Sequence, residues 1–249
     1  MKINEQEKER TRERILEAAV DVVSAKGFRT ASMREIAQRA GVGDATIYNY
    51  FPSKEKLVYG YCEQVQRRVM AGLQGIADFH EYSLVEQLQQ LVDLEMQTWL
   101  PAREFLREVF ELSFQAPGAA HELLAVSRQL NQRMVVDLLD AAIEAGEIPA
   151  QPYSELLPRL FWDFQTGILA YWLKDDSEGF ANTTQLLDRS MEIVGGILHL
   201  GLIGKAFDLI SFLFRSHVLS HLESIASLRQ AAIATKRRFM AGSDETRPA

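Results

Sequence analysis

Five side chains in the first quarter of the chain have the chemistry to bind another molecule. Thr46, Tyr48 and Tyr50 carry hydroxyl groups, Asn49 carries an amide, and Lys54 carries a cation. Hydroxyl and ammonium groups form hydrogen bonds with phosphate oxygens, and an asparagine amide can form two hydrogen bonds with adenine. This chemistry fits a nucleic acid, with Asn49 as a candidate base reader. Two alternatives stay open, because the Tyr50 ring could pack in a small core and Asn49 could simply be solvated.

Short helices must position these side chains, and local signals mark where each helix begins and ends. Ser32 and Glu35 have the spacing of a capping box, which starts a helix, and Gly41 ends that helix. Pro52 cannot continue a helix, and Ser53 can cap the next one. Together with the spacing of apolar residues, these signals predict helices over residues 5–26, 32–40, 44–50 and 54–75.

The second and third predicted helices have the features of a helix-turn-helix. Ala37 and Gly41 are small enough for the two helices to cross closely, and Val42 and Ile47 can fill the space between them. In a helix-turn-helix, a short turn sets the second helix across the first, so that it can enter the major groove of DNA. Three-helix units also serve as plain scaffolds, so the periodicity alone leaves DNA binding open.

The residues around this turn resemble the signature of the TetR family. The matching positions are Gly41-Val42, Thr46-Ile47-Tyr48-Asn49-Tyr50-Phe51, Ser53-Lys54-Glu55 and Leu57, with upstream counterparts at Gly27-Phe28 and Ser32-Met33-Arg34-Glu35-Ile36-Ala37. The similarity covers about residues 10–60. It implies a transcriptional regulator that binds a palindromic operator as a homodimer, with phosphate contacts from Tyr48, Tyr50 and Lys54. It also implies a body that binds an effector.

The resemblance further implies an all-α protein with two domains. A three-helix, helix-turn-helix domain is expected over residues 1–52, and a larger helical domain for effector binding and dimerisation over 53–242. The larger domain would include a connecting helix over 53–75 and a C-terminal helical extension over 204–239, before a disordered tail at 243–249. Within it, breaks at proline and glycine predict helices over 83–99, 102–115, 119–145, 153–174 and 182–200. The last two are predicted to form the dimer interface, which extends to about residue 202.

Two residues at the start of the third predicted helix depart from the family pattern. Gly43 stands where the family often has a serine cap, and Asp44 stands where a basic residue is common. A carboxylate at this position favours the helix dipole but not a neighbouring phosphate, and it could instead accept a hydrogen bond from a cytosine amino group. The complete set of predicted DNA-binding residues is Ser32, Arg34, Asp44, Thr46, Tyr48, Asn49, Tyr50 and Lys54.

Aromatic residues are concentrated in two predicted helices of the larger domain. Aromatic residues at helical spacing are more often core than ligand site, so both interpretations stay open. If they line a pocket, the pocket is mostly apolar and suits a flat hydrophobic or acyl-chain effector better than a sugar or a nucleotide. The candidate effector-binding residues are Trp99, Phe110, Phe114, Phe164 and Tyr171.

Composition and charge narrow the remaining classes of function. A single cysteine, Cys62, allows no intramolecular disulfide, so a reducing, cytoplasmic location is expected. Residues 1–70 have a net charge of +3 and the rest −10, which suits an N-terminal domain that meets phosphates. No catalytic or metal-binding motif stands out, so we predict no enzyme activity, no cofactor and no metal, and no membrane partner. Two other hypotheses are a TetR-like regulator that activates or needs no effector, and a helical enzyme or accessory protein with a vestigial helix-turn-helix.

Overall fold

A computed structural model describes residues 5–150 and 155–199, which form ten α-helices and no β-strand. The predicted all-α fold is therefore confirmed, whereas the predicted extension at 204–239 and tail at 243–249 lie outside the described residues. No helix in the described ranges is both long and apolar enough to cross a membrane. The helices are α1 (Glu5–Lys26), α2 (Met33–Ala40), α3 (Asp44–Tyr50), α4 (Lys54–Gln74), α5 (Leu84–Trp99), α6 (Arg103–Gln115), α7 (Pro117–Leu123), α8 (Ala125–Glu144), α9 (Leu157–Trp172) and α10 (Ala181–His199).

Helices α1, α2 and α3 form a small N-terminal domain with a helix-turn-helix. The Ser32 side chain accepts a hydrogen bond from the backbone N–H of Glu35, and the Glu35 carboxylate accepts one from the backbone N–H of Ser32. Gly41 ends α2 with φ 65°, a left-handed conformation that glycine adopts without steric cost. Ala37 and Ile47 have no exposed surface, so α2 and α3 pack directly against each other.

Helix α4 is held tightly against this N-terminal domain. Ser53 caps α4 by accepting a hydrogen bond from the backbone N–H of Lys56. A Cβ atom on Gly60 would lie 2.8 Å from the Phe51 ring, so only glycine allows the helix to cross the domain at this distance. Further along, α4 packs against α5 and α8 in the larger domain. Helix α4 therefore packs against both the N-terminal helices and the helices of the larger domain.

Helix α5 lies between α4 and α10 in the larger domain. A Cβ atom on Gly72 of α4 would lie 2.7 Å from Leu94, and one on Gly195 of α10 would lie 2.8 Å from Val85. Helices α8 and α9 pack against each other, and α8 also contacts α4 and α5. The absence of a side chain at Gly72 and Gly195 thus lets α4 and α10 pack closely against α5.

The helix predicted over 119–145 is two helices, α7 and α8. Pro117 lies between the predicted helices 102–115 and 119–145, but it begins α7, because the first turn of a helix needs no N–H from proline. Leu124 has ψ 0°, which differs from the helical value and separates α7 from α8. The difference matters for function, because both short segments contribute to the cavity described below.

Candidate DNA-binding surface and effector cavity

One face of α3 is exposed. Tyr48 is 53% exposed, and Asp44, Ala45 and Asn49 are exposed beside it. Ile47 is fully buried on the other side of the helix and fixes its rotation. Residues four apart share a side of a helix, so the four exposed residues form one continuous surface. Ala45 was missed by the sequence analysis, although its methyl group is of a kind that contacts the thymine methyl.

Thr46 and Tyr50 lie at the edge of this surface. Both side chains are half-buried, and the Tyr50 ring packs against the apolar core of the protein. For Tyr50, the alternative of a core residue therefore holds in part. The rotation of α3 explains the difference, because the side that buries Ile47 also turns Thr46 and Tyr50 inward.

The carboxylate of Asp44 has a cationic neighbour. Arg34 on α2 places its Nε atom 3.9 Å from Asp44 Oδ2, and both side chains are largely exposed. An exposed ion pair contributes little to stability. It does, however, place a positive charge beside the one acidic group of the exposed α3 surface, which reduces the repulsion between Asp44 and a phosphate.

The hydroxyl of Ser32 is engaged inside the capping box. It donates a hydrogen bond to Glu35 Oε2 at 2.9 Å, and Lys26 Nζ donates to Glu35 Oε1 at 2.5 Å. The hydrogen bonds from Lys26 and Ser32 lower the pKa of Glu35 to about 2. Glu35 is therefore a carboxylate at neutral pH, and Ser32 serves first as the cap of α2.

The ammonium group of Lys54 is largely engaged within the protein. Lys54 Nζ donates hydrogen bonds to the backbone carbonyls of Phe28 at 2.5 Å and Ala31 at 2.6 Å, and it lies 4.3 Å from the centroid of the Phe28 ring. An ammonium group has three N–H donors, so one remains for a phosphate. The structure thus gives Lys54 a second role, which is to join the start of α4 to the segment between α1 and α2.

Helix α6 contacts the N-terminal domain with one face. Glu108 Oε2 accepts a hydrogen bond from the backbone N–H of Phe28 at 2.6 Å, and Gln115 Oε1 accepts one from Arg29 Nη2 at 2.9 Å. This contact could not be predicted from the sequence alone. The N-terminal domain is therefore held by α6 as well as by α4.

The other face of α6 lines a cavity of about 810 Å³ in the larger domain. Cavities of this size hold drug-sized ligands. Helices α4 to α9 all contribute to its wall. Its apolar wall consists mainly of Trp99, Leu106, Val109, Phe110, Phe114, Ala120, Leu124, Trp162 and Leu169.

Three of the five predicted effector-binding residues line this cavity. They are Trp99, Phe110 and Phe114, of which Phe114 is 79% exposed. The other two, Phe164 and Tyr171, do not line this cavity. They are seven residues apart and share a side of α9 that differs from the side presenting Trp162, Thr166 and Leu169 to the cavity.

The cavity also contains a buried carboxylate that the sequence analysis missed. Glu95 is 3% exposed and accepts hydrogen bonds from the side-chain amides of Gln66, at 2.5 Å, and Gln165. Burial raises the pKa of Glu95 to about 7, although the hydrogen bond from Gln66 lowers it. The sequence held a signal for this site, since Glu95 falls within the mostly apolar, buried stripe of α5.

A second apolar surface lies on the outer sides of α9 and α10. Leu160 is 49% exposed, Tyr171 44% and Ile193 64%. Isolated exposed apolar residues are ordinary, but continuous rows of them mark interaction surfaces. We call these residues the outer stripe: Leu160, Phe164, Gly167 and Tyr171 on α9, and Leu186, Ser190, Ile193, Gly196 and Ile197 on α10.

Two family models match this chain. The model described as "Bacterial regulatory proteins, tetR family" matches residues 15–59, which include α2, α3 and the start of α4. The model described as "Tetracyclin repressor-like, C-terminal domain" matches residues 87–213, about half of the chain. The two matched segments contain the exposed face of α3 and most of the cavity wall.

Similar proteins are known from several bacteria. The HTH-type transcriptional regulator UidR of Escherichia coli strain K12 is 28% identical over 192 residues, which cover 76% of this chain and 93% of that protein. The HTH-type transcriptional regulator LuxR of Vibrio harveyi is 25% identical over 183 residues, covering 74% and 88%. The solved structure of Salmonella enterica GusR has a TM-score of 0.61 and 24% identity, covering 80% of this chain and 99% of that one. At this identity the structural match concerns the fold.

Proposed function

The chain belongs to the TetR family of bacterial regulatory proteins, and from this premise we propose that it is a repressor whose cavity binds a small, mainly apolar effector. It is a transcriptional regulator with a DNA-binding helix-turn-helix. The observation that carries the proposal is the position of α6. One face of this helix contacts the N-terminal domain through Glu108, and the other lines the cavity. A ligand that shifts α6 therefore acts on the orientation of α3.

The proposed DNA contacts follow from exposure and hydrogen bonding. Tyr48 and Asn49 are exposed polar residues on α3, so we assign a phosphate contact to Tyr48 and base readout to Asn49. Arg34 on α2 is exposed, so it can contact DNA. Its ion pair with Asp44 also reduces the repulsion between that carboxylate and a phosphate. Supporting contacts at the edges of the surface are assigned to Ser32, Thr46, Tyr50 and Lys54.

The homodimer is proposed to form through the outer stripe. The apolar rows on α9 and α10 are adjacent, because these two helices pack against each other. Pairing them with the same rows of a second copy gives a self-complementary, apolar interface, as two-fold symmetry requires. This arrangement gives Phe164 and Tyr171 a function at the dimer interface instead of in the cavity.

Release of the operator requires an effector that distinguishes two conformations. The effector must bind more tightly to the conformation in which the two α3 helices no longer match the operator half-sites. By linkage, operator DNA must then weaken effector binding by the same factor. Helices α4 and α6 are the elements that would transmit the change, since both touch the cavity and the N-terminal domain.

Simple observations distinguish the proposed repressor from two other functions. An activator, or a regulator that needs no effector, would bind its operator with an affinity that no cavity ligand changes. An enzyme or accessory protein with a vestigial helix-turn-helix would not select any DNA sequence. Because the similar proteins are transcriptional regulators, a regulator of either kind is favoured over an enzyme or accessory protein.

We expect the protein to select a near-palindromic duplex from random DNA. The half-sites should lie about 34–36 Å apart, one helical turn, or a multiple of that distance. Asn49→Ala should cost about 1–3 kcal/mol on the selected site and relax preference at one base pair, whereas Tyr48→Phe should weaken binding to all sequences alike. Selection and fluorescence anisotropy at several salt concentrations measure these effects. Unchanged sequence preference in Asn49→Ala would remove the assignment of base readout.

We also expect Glu108→Ala to uncouple the cavity from DNA. A typical coupling factor between two sites is about 5–150-fold, and loss of the hydrogen bond to Phe28 should reduce it towards one. The measurement is operator affinity with and without a cavity ligand obtained by thermal-shift screening. Glu104→Ala is the matched control, because Glu104 lies on the same helix and pairs with Arg107 instead. Equal coupling in both variants would contradict transmission through Glu108.

A further inference from the structure

The side-chain amides around Glu95 are oriented by its carboxylate. Gln66 and Gln165 each direct an N–H group toward Glu95, and Asn131 donates to Gln165 Oε1 at 2.7 Å. The amide nitrogens of Gln66 and Gln165 therefore point toward the carboxylate, and the amide nitrogen of Asn131 points toward Gln165. As a consequence, the oxygen of Gln66 is left over.

Within the described part of the chain, two buried oxygen atoms at the cavity are unpaired. Gln66 Oε1 and Ser127 Oγ are buried and have no hydrogen-bond partner among the described residues, and both residues line the cavity. Gln66 and Ser127 are each 2% exposed. A buried polar atom without a partner costs free energy, so such atoms in a cavity indicate a missing partner. We call Glu95, Gln66 and Ser127 the acceptor cluster.

We propose that the acceptor cluster binds the protonated amino group of an amphipathic effector, whose apolar body packs against Trp99, Phe110 and Trp162. An ammonium group has three N–H donors and no acceptor, which matches a carboxylate, an amide oxygen and a hydroxyl oxygen. Aromatic faces nearby also favour a cation. The inference rests on the proposed function, because it specifies the chemistry of the effector for the same cavity.

The other charged groups at the cavity are less buried than Glu95. Arg128 is half-buried and interacts with His121, and Arg159 and Asp163 are exposed on α9. Solvent weakens the fields of these groups, whereas the charge of Glu95 acts in a medium of lower dielectric constant. A carboxylate ligand would meet the negative charge of Glu95 at the acceptor cluster. A neutral alcohol would supply a single donor.

The test is a panel of small aromatic and aliphatic amines, each with an alcohol and a carboxylic acid of the same carbon skeleton. Binding is measured by isothermal titration calorimetry at pH 8.5 on the full-length protein without DNA. We expect each amine that binds to have an affinity at least about tenfold higher than its matched alcohol, because charge-assisted hydrogen bonds are stronger than neutral ones. We expect the acids not to bind. A panel in which alcohols or acids bind as tightly as amines, or in which no amine binds, overturns the proposal.

Three variants assign the effect to the acceptor cluster. Glu95→Gln should lower amine affinity by at least about tenfold and leave alcohol affinity within about threefold, because it removes the charge while keeping the size. Ser127→Ala should lower amine affinity by a few fold, and it breaks no hydrogen bond within the protein. Ser113→Ala is the control, since the Ser113 hydroxyl lines the same cavity but donates to the Val109 carbonyl. Equal loss in all three variants contradicts the assignment.

Release of the Glu95 proton on ligand binding distinguishes direct contact with an ammonium group from a purely structural role of Glu95. Because burial raises the pKa of Glu95 to about 7, most molecules carry this proton at pH 6.5, and a bound ammonium must displace it. Titrations in buffers of different protonation enthalpy should detect release at pH 6.5 and little at pH 8.5. Cys62 faces Glu95 from α4, but burial raises the pKa of its thiol to about 12, so it stays neutral. Glu95→Gln should abolish the release, and His121→Gln should retain it.

The design separates failure of this inference from failure of the proposed function. The calorimetry contains no DNA, so amine binding is decided without any assumption about repression. If amines bind through Glu95 but leave operator affinity unchanged, the acceptor cluster stands and the repressor mechanism is wrong. If an alcohol or acid releases the operator and amines do not bind, the repressor mechanism stands and the ammonium assignment is wrong.

Discussion

Replacing Ile193 by aspartate is expected to convert the protein into a monomer and to lower operator affinity by about 10²–10⁴-fold, the range by which bivalence raises affinity. Ile193 is 64% exposed at the centre of the α10 part of the outer stripe. A carboxylate there would be buried against a copy of the same apolar row, where it has no partner. Because two-fold symmetry places the change twice in one interface, its cost is doubled.

Sedimentation velocity and operator titrations of the same samples test this prediction. Val136→Asp is the matched control, because Val136 is 39% exposed on α8 and lies outside the outer stripe. Gly196→Asp is a second test, since a Cβ atom at Gly196 has no neighbour within 4 Å among the described residues, unlike one at Gly195. A stable dimer of unchanged mass for Ile193→Asp would mean that another surface, such as the 204–239 segment, forms the interface.

Replacing Lys54 by alanine is expected to destabilise the protein by about 2–4 kcal/mol, because hydrogen bonds from a charged group contribute more than neutral ones. The substitution leaves the carbonyls of Phe28 and Ala31 without their donor and removes the cation from the Phe28 ring. Operator affinity should also fall for all sequences alike, since the substitution affects both the segment before α2 and the phosphate contact proposed for Lys54.

Urea unfolding and DNA binding distinguish these two roles of Lys54. Lys56→Ala is the control, because Lys56 is exposed two residues further along the same helix. Lys54→Met retains the aliphatic part of the side chain and loses only the charge, so it should reproduce most of the destabilisation. If the Lys54→Ala variant is as stable as the unmodified protein and loses only DNA affinity, the ammonium group of Lys54 acts on phosphate alone.

Helices α1 to α4 begin and end within one residue of the bounds that local sequence signals predict. The capping box of Ser32 and Glu35, the left-handed Gly41 and the break at Pro52 act between residues a few positions apart. Such signals do not depend on the rest of the fold, so they can be recognised in the sequence. For the same reason the exposed positions of Tyr48 and Asn49 follow from the buried position of Ile47.

In the larger domain, the residues that face the cavity depend on how the helices pack and could not be predicted from the sequence. The sequence shows that α9 is rich in aromatic residues. However, three sides of this helix have different surroundings, namely the core, the cavity and the exterior. The sequence therefore did not separate Trp162, which lines the cavity, from Phe164 and Tyr171, which do not.

The same limit applies to every long-range contact at these sites. The network of Glu95 with Gln66 and Gln165 joins α5 to α4 and α9, and the contact of Glu108 with Phe28 spans 80 positions. Each depends on the rotation and distance of helices that pack only after the chain has folded. Local propensity determines where a helix begins and ends, whereas the packing of all helices together determines what each of its sides contacts.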